Sequence, residues 1–172
     1  WGGIDFHEDV DRREGLGSYE RKGIFLNYVS NADIRYGGGQ VTVSTPSPTV
    51  NPVNMTESRP TLINNTIRFS ADAAMSADPN SFEETRFSAP RYQLSGNFSP
   101  DYSRVGPDIR GNILLNNSTN GLFVKTSTAA GGPLTTLDVA ARWDDKDITY
   151  VLGENLIIKG TPGGALQENH AP

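Results

Sequence analysis

The sequence predicts an all-β protein, and specifically a right-handed parallel β-helix: a solenoid of about four or five irregular coils with long loop insertions. The first observation is composition. Fourteen asparagines, 18 glycines, 11 prolines and twenty-eight serines or threonines favour turns, caps or extended backbone over long helices. The second is that four segments resemble one another at irregular spacing, which is typical of a solenoid whose coils differ by inserted loops. The third is that apolar runs in these segments are short and are bounded by glycine or asparagine.

Each of the four similar segments contains a short strand-like run, a polar Asn or Asp near an isoleucine, and then small residues. The segments are residues 25–43, 59–76, 106–125 and 147–164. They align on Ile34, Ile67, Ile113 and Ile157, at intervals of 33, 46 and 44 residues. An antiparallel sandwich is the alternative interpretation, because it also has short strands and frequent turn residues.

The third segment, GPDIRGNILLNNSTNGLFVK, illustrates how one coil is expected to form. Residues 113–115 and 122–124 are long enough for two strands whose alternate side chains point inward. Gly111, Gly121 and the neighbouring asparagines are expected at the corners, because glycine and asparagine adopt left-handed or bridge conformations most easily. Stacked corner asparagines can also hydrogen-bond to one another along the axis.

Two insertions interrupt the repeating pattern. Residues 44–60 are rich in Pro, Ser and Thr without periodicity, which predicts an exposed loop. Residues 76–107 interleave aromatic residues with arginines, and two interpretations are open. In one, Phe82, Phe87 and Phe98 fold onto one side of the solenoid and anchor the loop. In the other, exposed side chains bind a sugar or a protein surface. The candidate binding residues are Arg91, Tyr92, Tyr102 and Arg104.

Composition and charge argue against several functional classes. The chain has no cysteine, so disulfides, zinc–thiolate sites and thiol nucleophiles are excluded. A net charge of −5, without a basic face, argues against binding nucleic acid. No apolar run is long enough for insertion into a membrane. The two histidines, His7 and His170, lie near opposite ends of the chain, and nothing nearby suggests a Ser-His-Asp arrangement.

Clustered carboxylates raise the question of a calcium site. The stretch WDDKD contains Asp144, Asp145 and Asp147 within four positions, and oxygen-rich loops of this kind can hold calcium. DFHEDVD, residues 5–11, is also acidic, but neither stretch has the glycine and spacing of an EF-hand loop. Solvated acidic turns are the alternative. No other cofactor is predicted.

A pair of aspartates raises the question of polysaccharide cleavage. Asp33 and Asp108 occupy similar positions in their segments, so stacked coils could bring them together on one face. A glycoside hydrolase needs two carboxylates at about 5 to 10 Å. Each aspartate is explained equally well as a corner residue that accepts hydrogen bonds from backbone N–H groups.

The segments WGGIDF, ADIRYGGG, RPTLINNTIRFSADAAMS and GPDIRGNILLNNSTNGLFVK together resemble the right-handed β-helix regions of very large exported bacterial surface proteins, of the kind found in planctomycetes. The stretch WDDKDITYVLGENLIIKGTPGG resembles the next coil of that family, so the resemblance covers nearly the whole chain. It implies an extracellular structural or adhesive role and transfers no catalytic residue.

These inferences predict that residues 1–172 are a single β-helix segment, an excerpt or repeat unit of a larger protein. The expected function is a structural or adhesive building block at the cell surface or in an extracellular matrix. Its expected partners are neighbouring copies or adjacent coils of the parent protein, stacked end to end, with glycans as further ligands. The alternative is a β-helix domain that binds or cleaves a polysaccharide.

Overall fold

A computed structural model describes residues 1–7, 27–41, 49–83, 106–128, 130–143 and 145–159. Within these ranges the chain forms short β-strands and one 3-10 helix, Pro79–Phe82. None of the helical structure in the described ranges is long and apolar enough to cross a membrane. The strands are β1 Ile4–His7, β2 Tyr28–Ser30, β3 Asp33–Arg35, β4 Gly39–Gln40, β5 Thr49–Val50, β6 Val53–Thr56, β7 Thr61–Ile63, β8 Thr66–Arg68, β9 Ala73–Ala77, β10 Asp108–Arg110, β11 Ile113–Leu115, β12 Thr119–Val124, β13 Thr136–Leu137, β14 Tyr150–Leu152 and β15 Ile157–Ile158.

Three parallel sheets contain most of these strands. Sheet A has the order β1-β6-β9-β12-β14, sheet B the order β2-β7-β10, and sheet C the order β3-β8-β11. Every pairing in the three sheets is parallel. A further parallel pair joins β13 to β15, while β4 and β5 form an antiparallel pair. The all-β class and the parallel pairing are therefore confirmed, and the antiparallel sandwich is not the structure adopted.

The register of sheet C confirms part of the isoleucine alignment. Ile34 lies beside Ile67, as predicted, and both side chains are buried. The partner of Ile67 on its other side is Leu114, whereas Ile113 lies beside Thr66 and is 54% exposed. The predicted register was therefore wrong by one residue. Leu114, not Ile113, packs against the core, and a shift of one residue exchanges the inward and outward side chains of a strand.

The fourth isoleucine was placed wrongly. Ile157 belongs to β15 and pairs with Thr136 of β13, in a separate two-stranded sheet. The last predicted segment therefore does not continue sheet C. Instead, its residues 150–152 extend sheet A as β14.

The corner between sheets B and C is built as predicted. Asn31, Asn64 and Gly111 follow the three strands of sheet B, and all have positive φ angles, of 54°, 55° and 64°. Glycine and asparagine tolerate this left-handed conformation best. Each turn leads after one more residue into a strand of sheet C. The tight turn explains why glycine and asparagine interrupt the apolar runs.

Gly121 does not form a corner. It lies inside β12 and is buried, and a β-carbon at this position would lie 2.7 Å from the backbone oxygen of Thr149. A register irregularity in the pairing of β12 with β9 falls between Thr119 and Leu122. The glycine is thus required by the close approach of the neighbouring chain.

Side chains from all three sheets meet in one apolar core. It includes residues that are almost completely buried: Val53, Met55, Met75, Leu122 and Val124 from sheet A, Leu62 and Ile109 from sheet B, and Ile67 from sheet C. Burying a side chain of this size contributes about 1.5–3 kcal/mol. Phe82 extends the core and packs against Trp143 and Tyr150, with ring centroids 5.0 and 5.6 Å away. The burial of Phe82 agrees with the anchoring interpretation, which stays a prediction because Phe87, Phe98 and residues 84–105 lie outside the described residues.

The expectation of an exposed loop over residues 44–60 is wrong for its described part. Strand β6, Val53–Thr56, pairs on both sides within sheet A, and Val53 and Met55 are fully buried. Composition alone did not indicate this strand, because prolines flank it and its outward-facing side chains are polar. Of the second insertion, residues 76–83 pack within the fold, and residues 84–105 lie outside the described ranges.

Candidate functional site

A row of polar side chains crosses the outer face of sheet A. Asp5 of β1, Asn54 of β6 and Ser76 of β9 are consecutive partners in the register of the sheet. Because alternate residues of a strand point to opposite faces, these three side chains lie opposite the buried core residues Val53 and Met75. Parallel pairing therefore brings an acid, an amide and a hydroxyl together from three separate parts of the sequence.

Asn54 is the centre of this row. Its Nδ2 donates to Asp5 Oδ1 at 2.5 Å, and its Oδ1 accepts a hydrogen bond from Ser76 Oγ at 2.8 Å. Lys125, which directly follows β12, donates from Nζ to the same Oδ1 at 2.6 Å. His7 Nε2 lies 2.8 Å from the other carboxylate oxygen of Asp5. The carboxamide of Asn54 is thus held from both ends by ionisable or hydroxyl groups.

The environment of Lys125 disfavours its charge. Burial lowers the pKa of Lys125 below the ordinary lysine value, while the carboxylates of Asp5, Asp72 and Asp78 act in the opposite direction. A larger fraction of neutral amine is therefore present at a given pH than for an exposed lysine. A neutral amine is a nucleophile, whereas an ammonium group is not.

A groove of about 240 Å³ opens beside the polar row. Its lining includes Asp5, Asn54 and Lys125 together with Thr49 and Val50. The hairpin strand β5 thus forms part of its lining. Asp5, Asn54 and Lys125 therefore face the groove, whereas Ser76 is fully buried.

A second surface feature lies on sheet C. Asp33 accepts hydrogen bonds from both Arg35 and Arg68, with Arg68 Nη2 at 2.8 Å from Asp33 Oδ2. The side-chain hydrogen bonds from Arg35 and then Arg68 lower the pKa of Asp33 well below its usual range. Arg35 and Arg68 are register partners, so two guanidinium groups from neighbouring strands share one carboxylate.

Two exposed aromatic rings adjoin these arginines. Tyr36 and Phe69 follow β3 and β8, and their rings stack with centroids 5.3 Å apart. Both residues have positive φ angles, of 57° and 59°, a conformation that is costly for bulky residues and that asparagine adopts at the third equivalent position, Asn116. Arg68 lies 5.9 Å above the Phe69 ring. We refer to Arg35, Tyr36, Arg68 and Phe69 as the aromatic–arginine patch.

The sequence-predicted site residues fall largely elsewhere. Arg91, Tyr92, Tyr102, Arg104 and Asp144 lie outside the described residues. Asp147 Oδ2 accepts a hydrogen bond from the Gly111 backbone at 3.2 Å, and Asp145 Oδ2 lies 3.5 Å from the Tyr150 hydroxyl. Among the residues that the structure describes, no three acidic or histidine side chains are arranged to hold a metal ion. The calcium site at Asp144, Asp145 and Asp147 stays a prediction.

The two aspartates considered for cleavage do not share a face. Asp33 begins β3 in sheet C, where its partner is Thr66. Asp108 begins β10 in sheet B, where its partner is Thr61. The expectation that stacking could bring them together on one face is therefore wrong. Asp33 lies in the sheet C strand of its segment, whereas Asp108 lies in the sheet B strand of its segment.

Sequence reasoning missed the polar row for a physical reason. Asp5 and Asn54 are 49 residues apart, and Asn54 and Lys125 are 71 apart. Only the register of sheet A brings these residues together. Because the composition of residues 44–60 indicates a loop, the sequence places Asn54 in no strand. The alternation of Val53 and Met55 with Asn54 and Thr56 was the signal available.

Comparisons of the chain with protein-family models, with curated proteins and with solved structures found no match.

Proposed function

We propose that this chain is a parallel β-solenoid that serves as a stiff structural or adhesive building block of an extracellular, cell-surface or matrix assembly. One observation carries the proposal: the same succession of strands occurs three times. The chain passes through sheets A, B and C as β1-β2-β3, then β6-β7-β8, then β9-β10-β11. Each strand pairs in parallel with its counterpart in the next pass. A repeated succession of this kind is expected of a solenoid and supports the proposal.

The corner hydrogen bonds support a stiff structure. Asn65 Nδ2 donates to Asn112 Oδ1 at 2.9 Å, and Asn112 Nδ2 donates to the Leu62 backbone at 2.6 Å. At the next corner, Asn117 Oδ1 accepts from the Ser70 backbone at 2.9 Å. These bonds connect successive passes in addition to the backbone ladders. Bending the stack would break several of them together, which favours a mechanical role.

The proposal is tested by particle shape and assembly. Negative-stain electron microscopy of the purified chain at rising concentration should show rods or filaments whose length increases with concentration. Size-exclusion chromatography with light scattering should show the corresponding rise in mass. A compact monomer over a wide range of concentrations would contradict end-to-end stacking. Antibody labelling of intact cells of the source organism tests the surface location separately.

Polysaccharide binding is the second candidate, and the aromatic–arginine patch favours it. Tyr36 is 67% exposed although its backbone conformation is unfavourable for a bulky residue. Unfavourable backbone conformations concentrate at functional sites. Aromatic rings beside arginines offer stacking and hydrogen-bonding groups for a sugar. Glycan-array binding that is lost in Tyr36→Asn and Phe69→Asn, but retained in an Ile158→Asn control on β15, would support this candidate.

A further inference from the structure

The contact between Lys125 and Asn54 places an amine beside the carbonyl group of a carboxamide. Lys125 Nζ lies 2.6 Å from Asn54 Oδ1. Because a carbonyl bond is about 1.2 Å long, the carbonyl carbon Cγ lies within about 3.8 Å of Nζ. Reacting atoms held at about 3–3.5 Å gain most of the rate advantage of an intramolecular reaction.

We propose that Lys125 and Asn54 form an intramolecular isopeptide bond between Nζ and Cγ, with release of ammonia. The bond would join β6 covalently to the end of β12 across the outer face of sheet A. Because β9 lies between these two strands, the cross-link would span three neighbouring strands of the sheet. This modification goes beyond the structural function proposed above, and neither depends on the other.

The side chains around Asn54 provide the groups that this reaction needs. Ser76 Oγ donates to Asn54 Oδ1 at 2.8 Å and so stabilises the negative charge that develops on this oxygen during attack. Asp5 Oδ1 accepts from Asn54 Nδ2 at 2.5 Å, which places a proton carrier beside the leaving nitrogen. His7 Nε2 contacts the second oxygen of Asp5 and orients the carboxylate.

The steps balance without an oxidant or another reactant. The Lys125 ammonium first loses one proton to water, which its lowered pKa makes easier. Nζ then attacks Cγ, and the C–N bond forms as the carbonyl electrons move to Oδ1. Nζ gives its second proton to water, and Asp5, whose Oδ1 is hydrogen-bonded to Nδ2, takes a proton from water and delivers it to Nδ2. The bond between Cγ and Nδ2 breaks, ammonia leaves, and Asp5 returns to its carboxylate form. The product is a secondary amide.

The test is the mass of the intact protein. The purified chain is expected to be lighter than its sequence by one ammonia molecule, about 17 Da. Since an asparagine that cyclises to a succinimide loses the same mass, the digest must also contain a branched peptide that joins Asn54 to Lys125. Full sequence mass after prolonged incubation at mildly alkaline pH, with no branched peptide, would overturn the proposal.

Variants separate the reaction from a simple hydrogen-bond network. Lys125→Arg and Asn54→Ala should both have full mass, and Asp5→Ala should form the bond at least tenfold more slowly because the proton carrier is missing. Lys159→Arg, at an exposed ion pair with Asp138, is the matched control and should keep the mass loss. Circular dichroism verifies that each variant is folded. A folded Asp5→Ala protein that cross-links as fast as wild type would contradict the assigned role of Asp5.

Discussion

Asn65 lies directly against Asn112 in the next pass of the chain, with Asn65 Nδ2 donating to Asn112 Oδ1 at 2.9 Å. Asn65 is also almost fully buried, and its side chain bonds the backbone on its other side: Nδ2 donates to Val29 O at 2.8 Å, and Oδ1 accepts from Ala32 N at 3.0 Å. One side chain thus connects three successive passes at the corner between sheets B and C.

Replacing this asparagine is expected to be costly. Asn65→Ala leaves the Val29 carbonyl and the Ala32 N–H without their side-chain partner, and each unsatisfied buried group costs about 1–3 kcal/mol. We expect a loss of about 3 kcal/mol in the free energy of unfolding, measured by urea denaturation. The exposed Asn155 serves as the control, since Asn155→Ala should change stability by less than about 0.5 kcal/mol. Equal effects at the two positions would contradict the role of the corner hydrogen bonds.

Two isoleucines in neighbouring strands test the register of sheet C. Ile67 is buried in the core, whereas Ile113, one strand away, is 54% exposed. Ile67→Ala should therefore destabilise the protein by about 2–5 kcal/mol, because it leaves a cavity. Ile113→Ala should cost less than about 1 kcal/mol. The same denaturation measurement compares them, and a larger cost at Ile113 would mean that the sheet is shifted by one residue.

The close approach at Gly121 gives a third prediction. Gly121→Ala would place a β-carbon 2.7 Å from the Thr149 backbone oxygen, so β12 and β14 must move apart. We expect a loss of about 1–3 kcal/mol, which is typical of overpacking. Amide hydrogen exchange of residues 150–152 should become faster in the variant. Gly2→Ala is the control, because its added carbon meets only ordinary contacts at 3.6 Å or more.

The ion cluster on sheet C makes stability depend on acid pH. Hydrogen bonds from Arg35 and Arg68 lower the pKa of Asp33 below its value in the unfolded chain. The stabilisation is therefore fully present above the unfolded pKa of about 3.9, and it is lost as the pH falls toward the folded pKa. Asp33→Asn should be less stable than wild type at neutral pH, and the difference should shrink below about pH 4. High salt should also reduce the difference, because Asp33 and Arg35 are exposed and Arg68 is only partly buried. A difference that is constant from pH 7 to pH 2 would contradict this assignment.

The stacked rings of the aromatic–arginine patch are expected to contribute little to stability. Tyr36→Asn and Phe69→Asn each remove a stacking contact worth about 0.5–1.5 kcal/mol. Each also relieves a left-handed conformation that costs a bulky residue about 1–2 kcal/mol. The two effects oppose each other, so thermal unfolding should show a change within about 1 kcal/mol. A large destabilisation would mean that the rings have a structural role rather than a binding one.

Several features followed from the sequence because they are local. The requirement for a left-handed turn after each strand of sheet B explains Asn31, Asn64 and Gly111, and these residues mark the corners without reference to the rest of the chain. The match of Ile34 with Ile67 followed from similar neighbouring residues. The interpretation failed where it relied on residue identity alone, as at Ile113 and Ile157. It also failed at β6, where Asn54 and Thr56 face outward and flanking prolines suggested a loop.

By itself, then, the amino-acid sequence determined an all-β chain with short strands that turn at glycine and asparagine, because turn conformation and alternation depend on adjacent residues. Tertiary structure alone decided the register of each sheet, the separation of Asp33 from Asp108, and the meeting of Asp5, Asn54 and Lys125. The reason is that parallel pairing brings together residues that are far apart in sequence, and their separation in sequence is set by the length of the intervening chain. Those lengths differ from pass to pass, and no local pattern encodes which outward side chains will become neighbours.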